Sequence, residues 1–198
     1  MKTTRHLELE LRDGTAVIVR PLVPADRAGL EEAYRRLSPE ARYHRFWTHT
    51  GEVIGEKMLD KTLDQDPLQH MAWAVLDSAR DFTGIGVASW WRNPQNPDEA
   101  EFSVTVLDGD HGRGVGTLLL AVTWLSAFHA GVNHFIAYTL MENRQAAQWM
   151  RDCGAEPTWD GYNLIFRWDL NNVAHLPHTR ASRDLSHWLA RLAPEILG

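Results

Sequence analysis

The residues with the clearest chemical meaning form a glycine-rich turn between a strand and a helix. Gly112, Gly114 and Gly116 stand at alternate positions, after one apolar segment and directly before another. The first turn of a helix presents free backbone N–H groups and the positive end of the helix dipole, and glycine has no Cβ to keep an anion away. The turn therefore predicts an anion site. The alternative is that the glycines only satisfy the backbone geometry of a tight turn.

The spacing of the glycines separates the known phosphate motifs. A P-loop has Lys and then Ser or Thr directly after its last glycine, whereas Gly116 is followed by Thr117 and Leu118. A dinucleotide fold has G-x-G-x-x-G after the first strand of a parallel unit, whereas this chain has G-x-G-x-G after a predicted antiparallel meander. Neither a P-loop nor a Rossmann fingerprint is expected.

Hydrophobic periodicity and turn residues predict the elements that position this turn. Strands are predicted over residues 15–22, 71–76, 84–91, 101–107, 135–140, 155–158 and 162–170. Helices are predicted over residues 24–37, 39–47, 56–63, 114–130 and 143–153. The helix that follows the turn has apolar residues at helical spacing, so we expect it to be amphipathic.

The turn and the order of the elements together resemble the GCN5-related N-acetyltransferases, the GNAT superfamily. The coenzyme A loop of that family reads Gln or Arg, two residues, Gly, one residue, Gly or Ala. Here the pattern is His111, Gly114 and Gly116, with His111 in place of Gln or Arg. The resemblance covers roughly residues 14–170 and implies an α/β (α+β) fold. Its central sheet would be mixed, mostly antiparallel and splayed, with about six to seven strands flanked by helices.

Two further segments resemble the bacterial protein-lysine acetyltransferase (Pat-like) branch: residues 37–46, LSPEARYHRF, and residues 142–144, ENR. The resemblance implies acetyl-CoA as co-substrate and an amine acceptor, with a protein lysine slightly favoured over a small amine. The same segments also occur in single-domain members of unknown substrate. An alternative from another class is a non-catalytic acyl-CoA-binding regulatory module, and a third is a glycine turn that binds no nucleotide.

The resemblance also assigns cofactor-binding residues: Val104, Val106, His111, Gly112, Arg113, Gly114, Val115, Gly116, Thr117 and Asn143. Backbone groups of the strand around Val104 would hold the pantetheine arm as an added strand. An N–H near Val106 or Leu107 would polarise the thioester carbonyl. Asn143 is expected to cap a helix, to contact CoA, or both. The side chain of Arg113 either pairs with phosphate or points to solvent.

The catalytic residue implied by the resemblance is Glu101, at the position of the family's frequent glutamate base. A lysine ammonium with a pKa of about 10.4 is neutral in about one molecule in 2,500 at pH 7, so a base is useful for direct attack in a ternary complex. Glu99 is the nearby alternative and is expected to be solvated. The family's tyrosine acid corresponds to Met150, so no acid is assigned, which a thiol leaving group tolerates. The acceptor wall is expected from the 39–47 helix and from Trp90 and Trp91.

The net charge and the lengths of the apolar segments argue against nucleic acid and membranes as partners. The 198 residues carry 20 Lys and Arg against 26 Asp and Glu, a net charge of −6, which makes broad attraction to nucleic acid unexpected. No apolar run reaches the roughly 18 residues of a membrane span, and residues 1–8 lack the apolar segment of a secretory signal, so a cytoplasmic protein is expected.

The single cysteine, Cys153, excludes an intrachain disulfide. Pairs such as His175 and His178 lack carboxylates at ligand spacing, so no metal is expected.

The domain organisation is expected to be one acetyltransferase domain over residues 1–170 and a C-terminal extension over residues 171–198. Apolar residues at helical spacing predict a terminal helix in that extension, namely Leu185, Trp188, Leu189 and Leu192. This helix would pack against the domain or against a second copy of the chain in a homodimer.

Overall fold

The protein is described here by a computed structural model that covers residues 6–198. The expectation that the chain begins without a secretory signal falls largely on residues 1–5, which lie outside the described residues. The described chain forms one eight-stranded sheet in the order β1-β2-β3-β4-β5-β6-β8-β7. The strands are β1 (Leu7–Glu10), β2 (Ala16–Pro21), β3 (His70–Asp77), β4 (Thr83–Asn93), β5 (Asn96–Val106), β6 (His134–Thr139), β7 (Glu156–Trp159) and β8 (Leu164–Asp169).

Six α-helices flank the sheet. They are α1 (Arg27–Arg36), α2 (Pro39–Phe46), α3 (Glu56–Leu63), α4 (Val115–His129), α5 (Arg144–Asp152) and α6 (Arg180–Ile196). Ser38 caps α2 by accepting the N–H of Ala41 at 3.1 Å, and Asn143 caps α5 by accepting the N–H of Ala146 at 3.2 Å. Both caps were predicted from the sequence.

The sheet confirms the expected mixed, mostly antiparallel α/β fold, with one strand more than the expected six to seven. All neighbouring strands are antiparallel except β5 and β6. The strand missed by sequence reasoning is β1, whose four residues alternate Leu and Glu at the edge of the sheet. A segment this short carries little periodicity, and its pairing with β2 defines it.

A splay between β5 and β6 interrupts the sheet at its centre. The two parallel strands pair only where Glu99–Glu101 lie against His134–Ile136, and the pairing stops before the C-terminal half of β5. Beyond that point the backbone of β5 has a partner on one side only, which is β4. The expected splay is therefore present, and it leaves unpaired peptide groups inside the molecule.

The helices form a layer on each face of the sheet. Side chains alternate between the faces of a strand. On β3, Val75 belongs to the core that contains α4, whereas Ala74 packs with Leu30 of α1 and Leu63 of α3. The helices α1 and α3 therefore lie on the face opposite to α4.

The expectation that α4 is amphipathic is wrong. Eleven of its 15 residues are buried, around its whole circumference. The reason is that α4 lies between the sheet and α6, whose fully buried Leu185 and Leu192 belong to the same core. A helix covered on both sides is apolar all round. The terminal helix therefore packs against the domain, one of the two alternatives that the sequence left open. No helix among residues 6–198 is both long and apolar enough to cross a bilayer.

Candidate functional site

A cavity of about 1170 Å³ follows the splay from the glycine turn to the face of the sheet that carries Glu101. It is bounded by the C-terminal half of β5, by the first turn of α4, by the end of β6 and by the start of α5. Its volume is slightly above the range of about 300–1,000 Å³ that is usual for small-molecule sites. The splay and the glycine turn thus open into one space.

The glycine turn requires glycine at two of its positions. Gly112 and Gly114 have φ of 75° and 93°, values that favour glycine strongly. Gly114 is the N-cap of α4 and has no side chain to satisfy the helix, so the N–H groups of Val115, Gly116 and Thr117 lie in the first turn without intrahelical acceptors. These residues line the cavity. The arrangement has the form of an anion site.

The first turn of α4 packs against Trp149 of α5. A Cβ built on Gly116 would lie 3.6 Å from the Trp149 ring, an ordinary van der Waals contact, so this packing does not itself require a glycine. The Trp149 indole N–H donates to the Thr117 hydroxyl at 3.2 Å. Thr117 is 5% exposed, and its hydroxyl already accepts one hydrogen bond from the protein.

A network of ion pairs, here called the Asp110 network, holds the outer side of the turn. Buried Asp110 accepts from Arg80 and from Arg113, and Arg113 also donates to Asp13 at 2.7 Å. The hydrogen bonds from Arg113 hold the pKa of Asp13 well below its usual range. Neither alternative expected for the Arg113 guanidinium is observed, because it is bonded to two aspartates and does not line the cavity. Only its backbone N–H stays in the predicted site.

The imidazole of His111 lies against the end of β5. Its Nε2 is 3.0 Å from the carbonyl oxygen of Val106, so with Nε2 protonated the ring donates to that oxygen. His111 therefore closes the turn onto the strand. Because the Val106 carbonyl already accepts from His111, the Val106 N–H is the last backbone group of β5 that faces the splay without this partner.

The backbone of β5 presents alternate residues to the two sides of the strand. The N–H of Leu107 donates to Ile85 of β4 at 3.0 Å, and the carbonyl of Asp98 accepts from Asn133 at 2.8 Å on the β6 side. Even-numbered residues therefore point their peptide groups into the splay, as expected for Val104 and Val106. Leu107 is ruled out as a donor to a thioester, because its N–H is used within the sheet.

Two carboxylates of β5 differ in their partners. Glu101 is exposed and lines the cavity. The Glu99 side chain is 13% exposed and accepts from Arg167 at 2.7 Å and from Asn93 at 3.1 Å. The expectation that Glu99 is solvated is wrong, because Arg167 of β8 reaches it across the sheet. Glu101 is the carboxylate of the two that opens onto the cavity.

Arg45 of α2 places a positive charge on the Glu101 side of the cavity. Arg45 donates to the Ser103 hydroxyl at 3.1 Å, and burial lowers its pKa while the charge of Glu101 opposes that shift. The helix is fixed there because Asp108, just after β5, accepts from the backbone N–H of Ser38 at 3.0 Å. A positive charge next to Glu101 disfavours a second one in the same space.

Two aromatic side chains form the outer rim of the cavity. Trp47 and Tyr138 are 40% and 41% exposed and meet edge to face, with 6.5 Å between ring centroids. Burial and the charges of Glu101 and Glu99 raise the pKa of Tyr138, so its hydroxyl stays protonated. Apart from its place in a predicted strand, nothing in the sequence pointed to Tyr138 as a cavity residue.

The tryptophans expected beside Trp47 lie elsewhere. Trp90 is fully buried and donates its indole N–H to Ser126 of α4 at 2.9 Å. Trp91 stacks on His70, with 3.3 Å between ring centroids. Neither lines the cavity. Their adjacent positions point to opposite faces of β4, which a prediction from residue type alone does not separate.

Arginines distant in sequence surround the turn end of the cavity: Arg12, Arg144 and Arg180. Arg12 donates to the Gly112 carbonyl at 2.5 Å and pairs with Asp184 of α6 at 2.7 Å. Sequence spacing could not predict this cluster, because its members come from three separate segments. Among residues 6–198, no group of three or more His, Cys, Asp or Glu side chains is arranged to hold a metal ion.

Comparison with known proteins adds a family match. The family model described as an acetyltransferase (GNAT) domain matches residues 16–156. The acetyltransferase Pat of Mycolicibacterium smegmatis is 27% identical over 154 residues, which are 74% of this chain and 45% of the relative. The chain thus spans less than half the length of that relative.

Solved structures show the same fold. The GNAT domain of S. lividans PAT superimposes with a TM-score of 0.77 at 24% identity, over 83% of this chain and 96% of that domain. The yncA protein of Salmonella typhimurium, solved with acetyl-CoA, superimposes with a TM-score of 0.62 at 20% identity, over 78% of this chain and 94% of that protein. At sequence identities of 24% and 20%, these superpositions show a shared fold.

Proposed function

The chain belongs to the GNAT acetyltransferase family, and on that basis we propose that it transfers the acetyl group of acetyl-CoA to a primary amine, with a protein lysine slightly favoured over a small amine. The observation that carries the proposal is the single cavity that joins an open helix N-terminus, an unpaired strand edge and a free carboxylate. A site for an anion, an extended arm and a reacting amine would need these three parts in this order.

The turn and the splay would bind the co-substrate. The N–H groups of residues 112–117 suit a diphosphate, because the helix dipole and the glycines both favour an anion there. The peptide groups of Val104 and the N–H of Val106 suit the amide groups of the pantetheine arm. Asn143, which caps α5 and lines the cavity, would contact the arm from the other side of the splay.

Glu101 would act as general base. Its carboxylate takes a proton from the acceptor ammonium, directly or through one water, and the nitrogen lone pair attacks the thioester carbonyl carbon. The new C–N bond forms, the C–S bond breaks, and the electron pair of that bond leaves on sulfur. The nitrogen loses its second proton to solvent, which gives the neutral amide. The Val106 N–H would polarise the carbonyl oxygen. Arg45 supports this step, because its charge favours the neutral amine over the ammonium.

No side chain is proposed as general acid. Met150, at the position of the family's tyrosine, is buried and lines the cavity, and it cannot donate a proton. A thiolate whose conjugate acid has a pKa of about 8.5 is a tolerable leaving group, and solvent can protonate it.

The rim of the cavity supports a lysine on a polypeptide. The Trp47 and Tyr138 rings are both partly exposed, so the rim is open to a large acceptor. The flexible stem of a lysine can lie against such rings while its amine reaches Glu101. Acceptor choice between a protein and a small amine would follow from this opening.

The direct test is to incubate the purified chain with acetyl-CoA and a panel of amines, namely lysine-containing peptides, protein acceptors and small polyamines. Free thiol and acetylated amine should appear in equal amounts, and the peptide product should carry the acetyl group on lysine. Binding of acetyl-CoA, seen as a thermal shift, without thiol release with any amine would favour the alternative of a non-catalytic binding module.

A further inference from the structure

A second cavity of about 280 Å³ lies between the sheet and the helices α1 to α3. Most of its lining is apolar and comes from side chains such as Leu30, Ile54, Met58, Leu76, Phe82 and Val87. Phe82 is 53% exposed and Met58 39% exposed, so the cavity opens to the surface as a cleft. Here it is called the α1–α3 cleft.

Polar side chains in the α1–α3 cleft are mostly satisfied within the protein. Arg20 and Asp26 form a two-fold ion pair with both bonds at 2.7 Å. The Tyr34 hydroxyl donates to Thr50 at 2.6 Å, and the Thr62 hydroxyl donates to a backbone carbonyl at 2.8 Å. A ligand group in the body of this cleft would therefore find few free hydrogen-bond partners, and its binding free energy would come mainly from the hydrophobic effect.

The inner end of the cleft reaches the reaction cavity. Arg45, Phe46 and Thr105 line both spaces. Among the described residues the Arg45 guanidinium has one hydrogen-bond partner, the Ser103 hydroxyl, although it has five N–H donors. Arg45 lines both spaces, so its N–H groups that do not bond Ser103 are accessible to an oxygen acceptor of a ligand at the point where the two cavities meet.

We infer that the α1–α3 cleft binds a large apolar side chain of the acceptor polypeptide, close in sequence to the acetylated lysine, and that a main-chain carbonyl between the two accepts from Arg45. The inference rests on the proposed function. A cavity of about 150 Å³ holds benzene, so the α1–α3 cleft has room for the side chain of Leu, Met or Phe. A neutral carbonyl suits Arg45 because Glu101 already provides a negative charge nearby.

The continuity of the two spaces favours a polypeptide over a separate small ligand. An extended chain advances about 3.3 Å per residue, so a lysine at Glu101 places its near neighbours along β5 and β4, where the cleft begins. Acceptor specificity would then depend on the residues around the lysine and not on the lysine alone.

The experiment measures kcat/KM for a set of lysine peptides in which Leu replaces Asn at each position within three residues of the lysine. We expect about tenfold higher kcat/KM for Leu at one or two of these positions, mainly through KM. In the Gly84→Leu variant the ratio of kcat/KM for the Leu peptide to kcat/KM for the Asn peptide should fall towards one. A Cβ at Gly84 has only Leu76 near it, at 3.9 Å, so the new side chain would extend into the cleft.

Gly51→Leu is the matched control, since Gly51 is exposed, has open space at its Cβ position and lines neither cavity. It should keep the preference for Leu. Arg45→Lys should raise KM for the Leu peptide several-fold, because lysine lacks the forked donors of arginine.

The outcomes separate the two proposals. If small amines but no peptides are acetylated, the inference is overturned and the acetyltransferase proposal stands with a small-amine acceptor; if no amine of either class is acetylated, both fail. If the peptides are acetylated with equal kcat/KM whatever the neighbours, or if Gly84→Leu keeps the full preference, the inference is overturned while the acetyltransferase proposal stands.

Discussion

At the scale of single residues, partners decide which acidic group is available for chemistry. Glu99 and Glu101 lie two positions apart on the same face of β5, yet Arg167 and Asn93 engage Glu99 while Glu101 opens onto the cavity. Residue type and spacing could not distinguish them, because Arg167 comes from a strand 68 residues away in sequence. The pair therefore offers a matched test of the general base.

Replacing Glu101 by Gln keeps the size of the side chain and removes its basicity. We expect kcat to fall by about 10²- to 10⁴-fold while the Kd for acetyl-CoA stays unchanged, because a base acts on the amine and not on the co-substrate. Thiol release and calorimetry measure the two quantities. Glu99→Gln is the control and should keep kcat within a few-fold. Equal loss in both variants would contradict the assignment.

His70 gives the stability of the protein a pH dependence. Its ring is 2% exposed, stacks on Trp91, and has its Nδ1 3.3 Å from the Asp64 carbonyl. Burial lowers the pKa of His70 from 6.5 to about 4. Between pH 6.5 and pH 4 the unfolded chain binds a proton at this histidine and the folded protein does not. The neutral His70 therefore adds to the unfolding free energy above pH 6.5, and this stabilisation is lost as the pH falls towards 4.

We therefore expect that, because of His70, the unfolding free energy is about 2 kcal/mol lower at pH 5 than at pH 8. His70→Phe keeps an aromatic ring against Trp91 and cannot be protonated, so it should lose this part of the pH dependence. Urea unfolding of both proteins at the two pH values measures the difference. Identical pH dependence in the two proteins would show that His70 is not responsible.

At the scale of elements, the glycine turn depends on backbone conformation. Gly114 is the N-cap of α4 at a φ of 93°, which an L-residue adopts only with strain of about 1–2 kcal/mol. The Asp110 network and the His111 bond hold the same turn from both sides. The turn is therefore a rigid support for the N–H groups that face the cavity.

Gly114→Ala should weaken acetyl-CoA binding by about tenfold, because the strained residue displaces the N–H groups of the first turn. Gly109→Ala is the control, since Gly109 has an ordinary φ and open space at its Cβ position. Isothermal calorimetry gives the two Kd values, and thermal unfolding shows that both variants fold. An unchanged Kd in folded Gly114→Ala would argue against the turn as the diphosphate site.

At the scale of the whole molecule, the C-terminal extension is part of the core. Leu192 of α6 is fully buried, and the core cluster that contains it also contains the apolar side chains of α4. We propose that residues 171–198 and the preceding domain unfold as one unit, although the sequence divides them at residue 170. Because α6 covers α4, it also fixes the helix whose first turn lines the cavity.

Leu192→Ala should lower the unfolding free energy by about 2–5 kcal/mol, the usual cost of a large-to-small change in a core. Leu197→Ala, at a position 37% exposed, should cost far less. Urea denaturation followed by far-UV circular dichroism measures both. A separate early transition for the extension, or an equal small effect of both changes, would contradict a single unit.

The order of elements, both helix caps and the glycine turn could be predicted, because each depends on residues close together in the sequence. The Asp110 network, the Arg12 cluster, Tyr138 at the rim and the α1–α3 cleft could not, because each forms only when distant segments meet. The burial of α4 on all sides was missed for the same reason, since it requires α6. Residues close together in the sequence predict where the site lies, and contacts between distant segments decide which of its side chains have no protein partner.

The most direct test of the account is a crystal structure of the protein with acetyl-CoA. We expect diphosphate oxygens within hydrogen-bonding distance of the N–H groups of residues 112–117, and the pantetheine arm between β5 and β6 along Val104 and Val106. The acetyl carbon should face Glu101. A ligand bound elsewhere, with the turn making no contact to its phosphates, would contradict the account.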